Sequence, residues 1–158
     1  MGRPCSAYGG GGVTAIEQPA LRPAEAKRPR ATLWLLRLVL LWHAALVIAQ
    51  PILAGYFLSG ESDAIALHSP IGSTLWMVAA LQFVAAVLYW RPGGGRLWPA
   101  LVTLALFFAD FVQLVFGHQQ NFTVHVPLGT AIVTTVVLMT VWSFRAGARR
   151  GRHPEVVR

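Results

Sequence analysis

Charge is what this sequence has least of. Only 12% of its 158 residues are Asp, Glu, Lys or Arg, about half the share expected of a soluble domain. A water-soluble globule of this length needs a charged shell, and this chain has too little to build one. Cysteine is nearly absent as well. Cys5 stands alone, so there is no internal disulfide and no thiolate cluster for a metal. The chain also lacks a phosphate-binding loop, a dinucleotide fingerprint and a hydrolase motif. The enzyme classes those motifs mark are removed, and the balance favours a role other than catalysis.

What is abundant is apolar residues, 55% of the chain, gathered in long blocks. Four spans are predicted, at about 32–57, 70–90, 97–117 and 126–144. Each has about the 20 residues that a helix rising 1.5 Å per residue needs to cross roughly 30 Å of hydrocarbon. The Val and Thr of the fourth span do not make it a strand. Within lipid only a helix or a closed barrel pairs every backbone group, and barrel strands are about half this length. The links are short: SGESDAIALHS (59–69), RPGGGR (91–96) and HQQNFTVH (118–125). Short links make neighbouring helices antiparallel. The expected fold is all-α, a four-helix transmembrane bundle running up-down-up-down over residues 32–144. The Gly-, Pro- and Arg-rich segment 1–31 reads as a disordered basic tail, and 145–158 as a second basic tail.

The formal net charge of +7 belongs to the topology of the chain and not to a nucleic-acid surface. Lys27, Arg28 and Arg30 precede span one, Arg91 and Arg96 flank the middle loop, and Arg145, Arg149, Arg150 and Arg152 follow span four. The other two loops contain no Lys or Arg. The positive-inside rule then puts both termini and the middle loop in the cytoplasm of a cell that carries the chain in its cytoplasmic membrane. Trp34, Trp90, Trp98 and Trp142 fall at the inner interface, where indole rings anchor. Arg37, inside span one, is expected to snorkel to that face.

An internal repeat carries the strongest functional signal. His68-Ser-Pro70-Ile-Gly72 opens span two, and His125-Val-Pro127-Leu-Gly129 opens span four. Gln50 and Gly55 lie near the outer end of span one, as Gln113 and Gly117 do in span three. This points to a duplicated two-helix hairpin. Proline is tolerated in a first helical turn, where its missing N–H would be unpaired anyway. Each histidine is therefore expected at a helix entrance. Gly72 and Gly129, four residues on, share its face and remove bulk beside the imidazole. Spans two and four are diagonal in such a bundle, so the imidazoles can face each other. Ala79 and Ala86 continue the small-residue stripe. Neutral imidazoles with small neighbours suit a b-type haem whose iron is held by His68 and His125. The plainer alternative is an interfacial helix start with small residues for tight packing.

Two ionisable residues lie deeper, His43 in span one and Asp110 in span three. Such groups are expensive in lipid and usually point inward. They can make a structural polar contact, orient a cofactor ligand, or relay protons. His43 is also a candidate haem ligand itself. Gln50 and Gln113 add intramembrane polarity, Gln113 on the same face as Asp110. Pro51 is expected to kink span one. Glu61, Asp63 and His118 read as exposed loop residues, and His153 as part of a solvated tail.

The stretch Gln50-Pro-Ile-Leu-Ala-Gly55, with Leu67-His68 and His125-Val-Pro-Leu-Gly129, resembles a family of small uncharacterised bacterial four-helix integral membrane proteins. That family ends helix one with Gln-x-x-x-Ala-Gly, places Leu-His before helix two and starts helix four with a His-Pro-type motif. The likeness covers roughly residues 33–144 and implies the fold, but no activity. The chain is also similar, more weakly, to one half of haem A synthase, whose four-helix halves carry His on the second and fourth helices. His68 and His125 are the matching positions. The extracellular cysteine pair of many such enzymes is missing, which argues against full haem A synthesis.

Three roles follow: a haem b electron-transfer protein with a redox partner, a non-catalytic subunit of a larger membrane complex, or a proton-coupled small carrier using Asp110 and His43. Small-residue faces would serve the second, and a homo-oligomer the third.

Overall fold

The computed structural model describes Gly2 and residues 31–150. The expectations for the N-terminal tail, Cys5, Arg152 and His153 lie outside the described residues.

Four long helices form: α1 (Ala31–Leu58), α2 (Asp63–Trp90), α3 (Trp98–His118) and α4 (Phe122–Phe144). A single turn, α5 (Ala146–Arg149), follows. All four long helices have the length and apolar composition of membrane spans. There are no strands among the described residues. α1 packs on α2 and α4, and α3 packs on the same two helices, so α1–α3 and α2–α4 are the diagonals of an up-down-up-down bundle. The outward faces carry Leu38, Trp42, Met77, Val84, Phe108, Phe111 and Leu138, all well exposed. A soluble protein would not show apolar surface on every helix, so this surface is matched to lipid.

Two helices start earlier than expected. α2 begins at Asp63, seven residues before Pro70, and α4 at Phe122, five before Pro127. The prolines therefore lie inside helices and do not open them. Asp63 gives α2 an acidic first turn, which suits the positive end of the helix dipole. In α4 the Asn121 side chain caps the start by accepting from the Val124 N–H. The histidines consequently sit one to two turns inside their helices. At about 42 Å, the 28-residue α2 is longer than the hydrocarbon core.

The core has two apolar clusters. One, at the end carrying the basic residues, joins Leu33, Leu36, Leu40, Ala86, Tyr89 and Met139. The other joins Ala44, Val47, Leu75, Leu106, Ile132 and Val136 nearer the middle. Ala79 and Ala86 of the small-residue stripe are both fully buried, letting helices approach closely.

Arg37 reaches toward the end that carries the basic residues, as expected, but meets protein there and not water. It turns inward and is 3% exposed. Its Nε and Nη2 donate to the Ser143 carbonyl at 3.0 and 2.7 Å. The guanidinium also lies 4.7 Å from the ring centres of Trp34 and Phe144. A carbonyl in the last turn of α4 has no intrahelical donor and sits at the negative end of the dipole. A cation between two aromatic faces meets that need better than water does. Beside it the Tyr89 hydroxyl donates to the Ala148 carbonyl at 2.9 Å, tying α5 across this end of the bundle. Gly95 lies flat against the Tyr89 ring, leaving no space for a β-carbon.

Candidate functional site

Polar side chains gather in two layers. The first is at the end opposite the basic residues. The rings of His68 (α2) and His125 (α4) lie across the diagonal with centroids 6.3 Å apart and planes inclined at 60°. Each ring is oriented by the helix before it in sequence. His68 Nδ1 is 3.2 Å from the Gln50 carbonyl, and His125 Nδ1 is 3.1 Å from the Gln113 carbonyl. A carbonyl only accepts, so Nδ1 carries the hydrogen in both rings. In the neutral ring Nε2 is then the nitrogen with the lone pair, the one free to bind a metal.

The glutamines also explain the glycines. A β-carbon on Gly72 would stand 3.2 Å from Gln50 Oε1, and one on Gly129 would stand 2.7 Å from Gln113 Nε2. The cleared space beside each histidine is taken up by the glutamine of the preceding helix. Gln113 Nε2 goes on to donate to the His125 carbonyl at 2.8 Å. The repeat is thus a repeat of contacts: a Gln whose carbonyl accepts from a His and whose amide packs on the Gly one turn further along. Two amide atoms remain buried without a partner, Gln50 Nε2 and Gln113 Oε1.

The second layer lies deeper. His43 Nδ1 is 2.7 Å from Gln82 Oε1, and His43 Nε2 is 3.5 Å from Asp110 Oδ2. The latter distance suits an ion pair, but the groups are not aligned as a hydrogen bond, and both Asp110 oxygens lack a donor. His43 and Gln82 are 0% exposed and Asp110 is 2% exposed, so all three are buried inside the bundle. The diagonal pairing of spans one and three thus brings His43 to Asp110. Gln82 was not singled out from sequence. Its signal is that of a strongly polar, though uncharged, side chain in the middle of an apolar run.

Among the remaining residues, His118 Nδ1 lies 3.0 Å from the Leu114 carbonyl, on the surface. Glu61 and Asp63 are exposed. α1 runs through Pro51 as one continuous helix. Among the described residues no group of three or more His, Cys, Asp or Glu side chains is placed to hold a metal ion.

Fold and site together define a multi-pass integral membrane protein with an all-α four-helix domain and a diagonal histidine pair. No family model, curated protein or solved structure matches the chain.

Proposed function

We propose that this protein is a membrane cytochrome of b type in which His68 and His125 would hold one haem. The carrying observation is the spacing of the two rings. Metal–imidazole bonds of about 2 Å, plus about 1 Å from nitrogen to ring centre, put the centroids of a linear bis-imidazole site roughly 6 Å apart. The observed separation is 6.3 Å. Both Nδ1 atoms are spent on backbone carbonyls, the outer hydrogen bond that fixes a ligating imidazole and raises its basicity. The buried, unpartnered Gln50 Nε2 and Gln113 Oε1 fit a site that receives a further group.

A haem held there supplies one-electron chemistry. The chain would supply the ligands and the carbonyls that orient them. The lack of Lys and Arg in the two links at this end, against Arg91, Arg96, Arg145, Arg149 and Arg150 at the other, supports a site on the outer side of the cytoplasmic membrane. Membership of the small bacterial four-helix family, and kinship with half of haem A synthase, are part of the same proposal.

The test is an absorption spectrum of the full chain, purified in mild detergent after haem-sufficient expression. The proposal expects a Soret band, sharp α and β bands on dithionite reduction, and near one haem per chain. His68→Ala and His125→Ala should each abolish the reduced low-spin bands. A preparation that stays colourless after added hemin overturns the reading and favours a non-catalytic subunit of a larger complex.

A further inference from the structure

In the orientation the Gln82 amide takes, its Oε1 faces the ring and accepts, so the 2.7 Å contact makes His43 Nδ1 the donor. His43 Nε2 then faces Asp110 Oδ2 at 3.5 Å. If the imidazole were neutral and the carboxylate ionised, two acceptors would face each other with nothing between them, and a full negative charge would lie in the apolar core. Among the described residues no other ionisable side chain is paired with Asp110. α4 packs Leu128, Ile132, Val133 and Val136 into the neighbouring apolar cluster, and its one titratable residue, His125, belongs to the outer layer. On α2 the titratable side chains are Asp63, His68 and Tyr89, each a turn or more from Gln82. On α1 Arg37 is committed to Ser143, and Tyr56 is exposed. On α3 only His118 remains, at the far end. An isolated charge in such surroundings is neutralised by a proton.

We infer that His43, Gln82 and Asp110 form a binding site for a single exchangeable proton in the middle of the membrane domain. The proton sits on Nε2, giving imidazolium beside carboxylate, or on Oδ2, giving imidazole beside carboxylic acid. Moving it between the two atoms leaves the net charge at zero. Losing it to water leaves one negative charge in the bilayer. Gln82 fixes the count by holding Nδ1–H and so forcing the exchangeable proton to the Asp110 side. The site is close to the histidine pair. Gln50 follows His43 by seven residues, about 10 Å along α1, and Gln113 follows Asp110 by one turn of α3. The inference stands whether or not the pair binds haem.

The chain has only two aspartates, Asp63 and Asp110, so carboxyl labelling is selective. The full chain, carrying [4-13C]Asp and [15N]His, is reconstituted in lipid bilayers at pH 7 and read by solid-state NMR. The expected spectrum pairs a protonated Asp110 carboxyl with a neutral His43, or an ionised Asp110 with an imidazolium at His43. The signal of the protonated group should shift on overnight transfer to D2O. In Asp110→Asn, His43 should be neutral. An ionised Asp110 beside a neutral His43 in the wild-type chain overturns the inference, as does a proton that does not exchange. Both readings come from the wild-type chain, so a poorly folding variant does not weaken the test.

Discussion

At the residue scale, the two copies of the repeat differ in one telling way. A β-carbon on Gly117 would lie 2.8 Å from His125 Cε1, whereas one on Gly55, its counterpart in the first copy, would meet nothing within 4 Å. Gly117→Ala should therefore push the His125 ring away from the Gln113 carbonyl at a cost of about 1–3 kcal/mol. Gly55→Ala should be neutral or slightly stabilising, since alanine favours helix. Unfolding of the two variants in the same detergent would separate them, and equal stabilities would contradict the packing described. A similar comparison applies to Gln82→Leu. It keeps the volume but removes the acceptor of His43 Nδ1–H, and leaving a buried donor unpaired costs about 1–3 kcal/mol. Sequence reading found His43 and Asp110 because ionisable groups in apolar runs stand out. It passed over Gln82 because that amide is uncharged and, unlike Gln50 and Gln113, belongs to no repeat, although the structure gives it the shortest contact of the three.

At the element scale, the four spans were legible because lipid leaves the backbone only one solution over 20 apolar residues. The starts of α2 and α4 were not. Ser62-Asp63 and Asn121 are start signals, yet the polar residues after them read as loop, and the prolines looked like natural first-turn positions. Those extra turns let two hairpins of different length make the same contact. His68 follows Gln50 by 18 residues and His125 follows Gln113 by 12, but each ring reaches the glutamine carbonyl. Arg37 illustrates a different limit. Its partner is a backbone carbonyl, which has no sequence signature at all. Arg37→Met should leave the Ser143 carbonyl without its donors and destabilise the bundle by about 1–3 kcal/mol, measurable as a lower thermal midpoint. A variant as stable as the parent would mean that the arginine does reach water. α5 was missed because Ala146-Gly-Ala-Arg149 reads as tail; only the Tyr89 hydroxyl, 59 residues earlier, explains why a turn forms there.

At the scale of the molecule, charge and site divide the bundle into two unlike ends. The end with Arg91, Arg96 and Arg145 is closed by aromatic packing, with Trp98 and Trp142 centroids 4.4 Å apart. The other end has no Lys or Arg in its loops and carries the histidines. In a strain lacking Cys5, single cysteines at Ser59 or Gln119 should react with a membrane-impermeant maleimide added to intact cells. A cysteine at Gly94 should react only after lysis. The reverse pattern would place the histidine pair on the inner side and change the side from which a redox partner must approach.

The guanidinium of Arg37 and the carbonyl that receives it are 106 residues apart. The ribosome therefore delivers the charge long before its acceptor. Until α4 is made, α1 holds an unmatched cation, which costs a few kcal/mol if drawn into hydrocarbon. The contact that joins the first helix to the last can therefore form only after the whole bundle has been made, so this end of the domain is the last to close.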